Sequence, residues 1–228
     1  MYFTKGLLTL LASTTLTTLV TSTPIDSKAI AARDAEAAKL APRFQNFDDQ
    51  VKGSADAWAA LTQYCGGGSS KRDLEARAPQ PPGGPWNEVK MGDSQAFAGI
   101  PIGLWTQNLK SCIGFGITAD GGNHALGHFT SDESSKESQW DKFSGLVNGW
   151  TNIQGYVSKP DRSTNVDSIM TDEALDLMDK VTAQLIARMN SLGHTRITLR
   201  SMAPGSGDTD NTMSIDGQNN VLINGNAP

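Results

Sequence analysis

The stretch "SCIGFGITADGGNHALGHFTS", residues 111–131, decides how this chain folds. From Cys112 to Thr118, small residues alternate with Ile113, Phe115 and Ile117. Alternation with a period of two predicts a strand that sends its large side chains to one face. "ADGGN" follows, and Asp-Gly is a strong hairpin-turn signal. The second arm runs from about Asn123 to Thr130. A three-residue loop, Ala119-Asp120-Gly121, gives the left-handed position to Gly121, and paired residue numbers then sum to 240. On that register Cys112 lies directly opposite His128, with Cβ atoms about 4.5–5.5 Å apart. His124 faces Gly116, roughly 13 Å along the strand from the cysteine.

The flanking segments supply the rest of a domain. "QAFAGIPIGLWTQ" (95–107) mixes β-favouring residues with glycines and a proline, which predicts an edge or bulged strand. Residues 131–139 read as a polar loop. Trp140, Phe143, Val147 and Trp150 recur at three- and four-residue spacing and predict a short amphipathic helix. The clearest helix follows Thr171, a good N-cap, with Asp172 and Glu173 in its first turn and Gly193 beyond its end. Its core face is Leu175, Met178, Leu185, Ile186, Met189 and Leu192. Residues 194–202 alternate as a strand, and "TMSIDGQNNVLING" reads as a second hairpin. The sum is an α/β or α+β sandwich in which one or two mostly antiparallel sheets pack against one long helix. The Asp/Asn/Gly-rich stretch 207–220 lacks the ordered ligand spacing of a calcium loop and reads as turns.

The N-terminal third has a different character. One basic residue, an apolar run from Gly6 to Val20 and small residues after it make residues 1–22 a secretory signal. That run is shorter than the roughly 20 residues a bilayer span needs. Residues 23–72 read as a propeptide. They favour helix, but alanines supply most of the apolar residues, and such helices bury too little surface to hold a core alone. Gly66–Ser70 is a flexible linker that leads to the dibasic pair Lys71-Arg72, a site for a kexin-type processing protease. Residues 73–90, with their proline cluster, are a spacer, and 91–228 form a single domain. Cleavage after Arg72 leaves 11 Lys+Arg against 18 Asp+Glu, a balance of −7. An acidic surface argues against nucleic acid and anionic membrane as partners. A secreted, extracellular protein results.

Cleavage also changes what the two cysteines mean. In an oxidising compartment Cys65 and Cys112 default to a disulfide. Once the propeptide is gone, Cys112 is a lone thiol. Cys65 then reads either as half of a permanent bridge or as a cap held until processing and reduction. A nucleophilic cysteine needs a base to take its proton. The three histidines are His124, His128 and His194, and the hairpin register favours His128. A metal centre is not expected, because one hairpin face cannot gather both hairpin histidines at the cysteine, and no cofactor motif is present. A non-enzymatic alternative uses the hairpin with Trp105, Trp140 and Trp150 as a binding surface, with Cys112 in a structural or intermolecular disulfide.

Thr106, the segment Leu109-Lys110-Ser111-Cys112, the hairpin, and "LGHFTS" together resemble the active site of the chemoreceptor glutamine deamidase CheD. The catalytic domain of the cytotoxic necrotizing factor toxins has a related Cys-His hairpin. The resemblance spans about thirty residues and implies a layered α/β sandwich that hydrolyses protein glutamine side-chain amides. It assigns Cys112 as nucleophile, His128 as its base and Thr106 as the family threonine, which orients the histidine or the substrate. That family usually has glycine before Ser-Cys, or Ser-Gly before the cysteine, where this chain has Lys110-Ser111; the lysine is the departure. Its charge would lower the cysteine pKa.

Overall fold

In strand β4 (Ile113–Ala119) the alternation seen in the sequence becomes a division between two packing layers. Ile113, Phe115 and Ile117 face a core shared with the helices, and each is fully buried. Gly114 and Gly116 face the other way, toward a second sheet. A Cβ on Gly114 would meet the Met213 sulfur at 2.9 Å, and one on Gly116 would meet Met213 Cε at 2.6 Å. Glycine at these two positions lets the sheets approach closely. The structure, a computed structural model, describes residues 51–65, 80–130, 136–164, 170–202 and 211–228.

Hairpin partner β5 (Asn123–Phe129) and strands β2 (Ser94–Phe97), β6 (Gln154–Asp161) and β7 (His194–Ser201) join β4 in a five-stranded sheet of order β2-β5-β4-β6-β7. All its pairings are antiparallel except β6 with β7. The smaller sheet has the order β1-β3-β8-β9, from β1 (Trp86–Glu88), β3 (Gly103–Thr106), β8 (Met213–Ile215) and β9 (Val221–Ile223). Between the sheets lies an apolar layer of Leu104, Leu109, Leu126, Met213 and Ile215. On the far side of the larger sheet pack α1 (Ala55–Cys65), α2 (Lys136–Leu146) and α3 (Asp172–Leu192). The molecule is thus an α+β sandwich of two sheets and a helical layer.

Helix α3 begins as its cap residue dictates, with the Thr171 hydroxyl accepting from Ala174 N–H at 3.2 Å. Leu175, Met178, Leu185 and Met189 are buried on its inner face, and Ile186 and Leu192 are partly buried there. The expected strand across 95–107 is instead two strands in different sheets. Gly99 adopts φ +64°, and the chain turns through Pro101 to cross from one sheet to the other. In the β8–β9 turn, Asp216 Oδ1 accepts from Gln218 N at 2.9 Å and Asn220 N at 2.8 Å. Those bonds build a tight Asx-type turn.

The folded unit begins well upstream of Met91. β1 lies in the expected spacer, and α1 lies in the expected propeptide. Helix α1 does not hold a core of its own; it enters the common one. Ala57, Trp58, Leu61 and Tyr64 are buried against the helical layer. Lys136 Nζ sits over the Trp58 ring at 3.7 Å from its centroid. Tyr64 Oη donates to Met202 O at 2.9 Å. Leu61→Ala should therefore lower the unfolding free energy of the uncut chain by about 3 kcal/mol, a cavity-type loss read by denaturant titration. A change near zero would mean that α1 is not integral to the fold. The dibasic pair Lys71-Arg72 lies outside the described residues, as does the expected signal segment.

Candidate functional site

The hairpin closes one residue later than the sequence suggests. The loop is Asp120–Gly122, and both Gly121 and Gly122 adopt φ +76°. Two consecutive glycines in the left-handed region move the turn past Ala119, which pairs with Asn123. Paired numbers therefore sum to 242. His128 lies opposite Gly114, not Cys112, and His124 lies opposite Thr118, not Gly116. A shift of two along the partner strand keeps the same face. Cys112 lies just before β4, diagonal to His128 and on its side of the sheet. Gly114 between them adds no side chain.

That geometry gathers three sulfur and nitrogen ligands. The sulfurs of Cys65 and Cys112 and a ring nitrogen of His128 all lie within 4.8 Å of one another. Cys65, at the last turn of α1, forms a disulfide with Cys112, with Cα atoms 5.0 Å apart. Cys112 is fully buried, and Cys65 and His128 are each 2% exposed. Thr106 ends β3 in the other sheet and is also fully buried.

Hydrogen bonds fix the protonation of the histidine. The Thr106 hydroxyl lies 2.7 Å from Val89 O and 2.8 Å from His128 Nδ1. Its single proton goes to the carbonyl, which can only accept. The threonine oxygen must then accept from Nδ1–H. His128 is left as the Nδ1–H tautomer, and its Nε2 is buried with no hydrogen-bond partner. An acceptor lone pair is thus buried without a partner on the ring that approaches the two sulfurs. Burial, and then the positive charge of Arg200, pull the His128 pKa down from 6.5 to about 3.

This depression makes a stability prediction. Between about pH 6.5 and 3 the unfolded chain binds a proton at His128 that the folded chain refuses. His128 therefore contributes stability above pH 6.5, and this is lost as the pH falls toward 3. The slope from this group is at most about 1.4 kcal/mol per pH unit. Denaturant titrations across that window should show it, and His128→Asn should flatten it. An unchanged slope in the variant would place the titration elsewhere.

Arg200 is a site residue with no signal in the sequence. β7 alternation puts Arg196, Thr198 and Arg200 on one face, and of the three only Arg200 is fully buried. Its Nη2 donates to Lys110 O at 2.6 Å, to Cys112 O at 2.8 Å and, at close range, to Leu109 O. Nη1 donates to Ser158 Oγ at 3.2 Å and Nε to Asn211 Oδ1 at 3.1 Å. Burial alone lowers its pKa to about 9. A buried guanidinium satisfied by carbonyls thus holds the shape of the Leu109–Cys112 segment. In particular it grips the carbonyl of Lys110.

Other predicted groups fall elsewhere. The His124 ring nitrogens lie 3.1 Å from Gly122 O and 2.8 Å from Ile102 O, which ties the hairpin tip to the loop before β3. His194 is exposed at the start of β7. Trp105 and Trp140 are buried, and Trp150 is half-buried. These rings are core packing and not an open aromatic platform.

No known protein-family model matches the chain, and no curated protein matches it. Among the described residues, no helix is long and apolar enough to cross a membrane.

Proposed function

We propose that this protein is a secreted cysteine amidohydrolase that deamidates glutamine side chains of protein substrates. The observation that carries the reading is the Thr106–His128 hydrogen bond, which leaves Nε2 without a partner on a ring that has a nitrogen within 4.8 Å of the Cys112 sulfur. With Cys112 reduced, Nε2 takes its proton, and the thiolate attacks the carboxamide carbon. Backbone N–H groups near Cys112 stabilise the oxyanion, a contribution of about 3–4 kcal/mol per donor in comparable sites. His128 then protonates the departing ammonia, and water hydrolyses the thioester. An amine in place of water gives transglutamination.

Thr106 acts through His128 and not on the substrate. Without its oxygen the imidazole has no fixed tautomer, so Thr106→Val should lower turnover about 10- to 100-fold. The test uses the protease-cut, reduced protein with a glutamine-rich protein substrate. Ammonia release and conversion of glutamine to glutamate by peptide mass spectrometry are the readouts. Equal activity in Thr106→Val would remove the threonine from the mechanism. No ammonia from protein in which Cys112 is alkylatable would sink the deamidase reading.

A second reading has its own observation. The Cys65–Cys112 bridge lies in the inter-sheet apolar layer, as a permanent structural disulfide would. In that case the protein is a non-catalytic secreted module, and reduction yields unfolding without activity.

A further inference from the structure

We infer that helix α1 is a covalently tethered cap on the Cys112 site, so that cleavage after Arg72 alone leaves the protein latent and thiol reduction is the releasing step. The inference rests on the amidohydrolase reading for the word latent, and on the disulfide for the tether.

Cys65 lies before the dibasic pair and Cys112 after it. A cut between them therefore yields two chains still joined through sulfur. The cap also blocks the site physically. Ser111 Oγ donates to Leu61 O at 3.3 Å, so the last turns of α1 lie directly on the residue before the nucleophile. Cys112, His128 and Thr106 are all 2% exposed or less: His128 and Thr106 are buried between the two sheets, and Cys112 is held there under its bond to the end of α1. No protein glutamine reaches the sulfur in this state. The sulfur is also oxidised and has no proton for His128 to take.

Release needs a two-electron reductant, which we assign to the class of thiols: a small-molecule thiol or a dithiol protein. A reductant thiolate attacks one sulfur of the bridge, the Sγ–Sγ bond breaks, and the other cysteine leaves as a thiolate. A second thiol resolves the mixed disulfide. The products are Cys65 and Cys112 as thiols and one oxidised disulfide of the reductant. Because both sulfurs are buried, the reductant must wait for α1 to loosen. The cut favours this by freeing the C-terminal end of α1 from the chain that follows.

The experiment treats the full chain with a kexin-type protease, dithiothreitol, both or neither. Alkylation of Cys112 is read by mass spectrometry, segment release by native and non-reducing separation, and ammonia release in parallel. Cleavage alone should give a two-chain species with no alkylation and no ammonia. Cleavage with reductant should release the α1 segment and expose Cys112. Cys65→Ser should remove the need for reductant after cleavage. Absence of cleavage at Lys71-Arg72, alkylation of Cys112 by cleavage alone, or retention of the segment after full reduction would each overturn the cap. Release and alkylation without ammonia would uphold the cap and overturn the amidohydrolase reading instead.

Discussion

Cys112→Ala in the cut, reduced protein should abolish ammonia release, with a loss of at least about 10⁴-fold, as expected when the group that forms the covalent intermediate is removed. His128→Ala should fall into the same range, because nucleophile and base act as a unit and their losses do not add. The Cys112 substitution also removes the disulfide, so the comparison protein is Cys65→Ser, which lacks the bridge but keeps the thiol. Activity in Cys65→Ser with none in Cys112→Ala would assign the chemistry to the thiol and not to the bridge. Equal activity in the two would end the enzyme reading. The same pair tests the Nδ1–H tautomer argued from Thr106. A neutral histidine with a free Nε2 should allow rapid alkylation of Cys112 in Cys65→Ser after cleavage, and His128→Ala on that background should slow it.

Arg200→Met should cost about 3–5 kcal/mol of unfolding free energy, the largest stability loss expected from any single site residue. The methionine fills much of the volume but leaves the carbonyls of Leu109, Lys110 and Cys112 buried without a donor. Each such group costs about 1–3 kcal/mol. Arg200→Lys should recover less than half of the loss. A single ammonium cannot span the three carbonyls, Ser158 and Asn211 as the planar guanidinium does. Denaturant unfolding under non-reducing conditions keeps the disulfide intact and isolates this effect. A loss below about 1 kcal/mol would mean that the carbonyls find other partners and that Arg200 does not hold the segment.

The hairpin was legible because its information is local. Alternating Ile113, Phe115 and Ile117 with small residues between them specify a strand, and "DGG" specifies a turn. Thr171 and Gly193 bracket the long helix in the same local way. The exact register was not legible, because either of two glycines can supply the first left-handed residue. Both Gly121 and Gly122 adopt positive φ, and that moved the pairing by two. The face of the hairpin survived the shift, since a change of two preserves side-chain direction. Cys112 and His128 therefore still meet, though diagonally.

Other features were hidden for a different reason. The alanine-rich helix ending at Cys65 carries too little apolar surface to fold alone, so its sequence predicts a dispensable segment. In the structure Trp58 and Leu61 find their complement in the helical layer, which only the assembled fold provides. Arg200 reads as one more exposed strand arginine, since alternation cannot tell a covered position from an open one.

The sequence by itself thus determined the hairpin, the long helix and the pairing options of two cysteines, and it pointed to Thr106, Cys112 and His128, which the fold brings together. The tertiary structure alone decided that Cys65 bridges Cys112, that Thr106 in the other sheet donates to Val89 and so leaves Nε2 bare, and that Arg200 grips the Leu109–Cys112 segment. The physical reason is range. Backbone propensity and side-chain alternation act over a few residues, whereas a buried lone pair or a buried cation is defined by partners that lie 17 to 91 positions away.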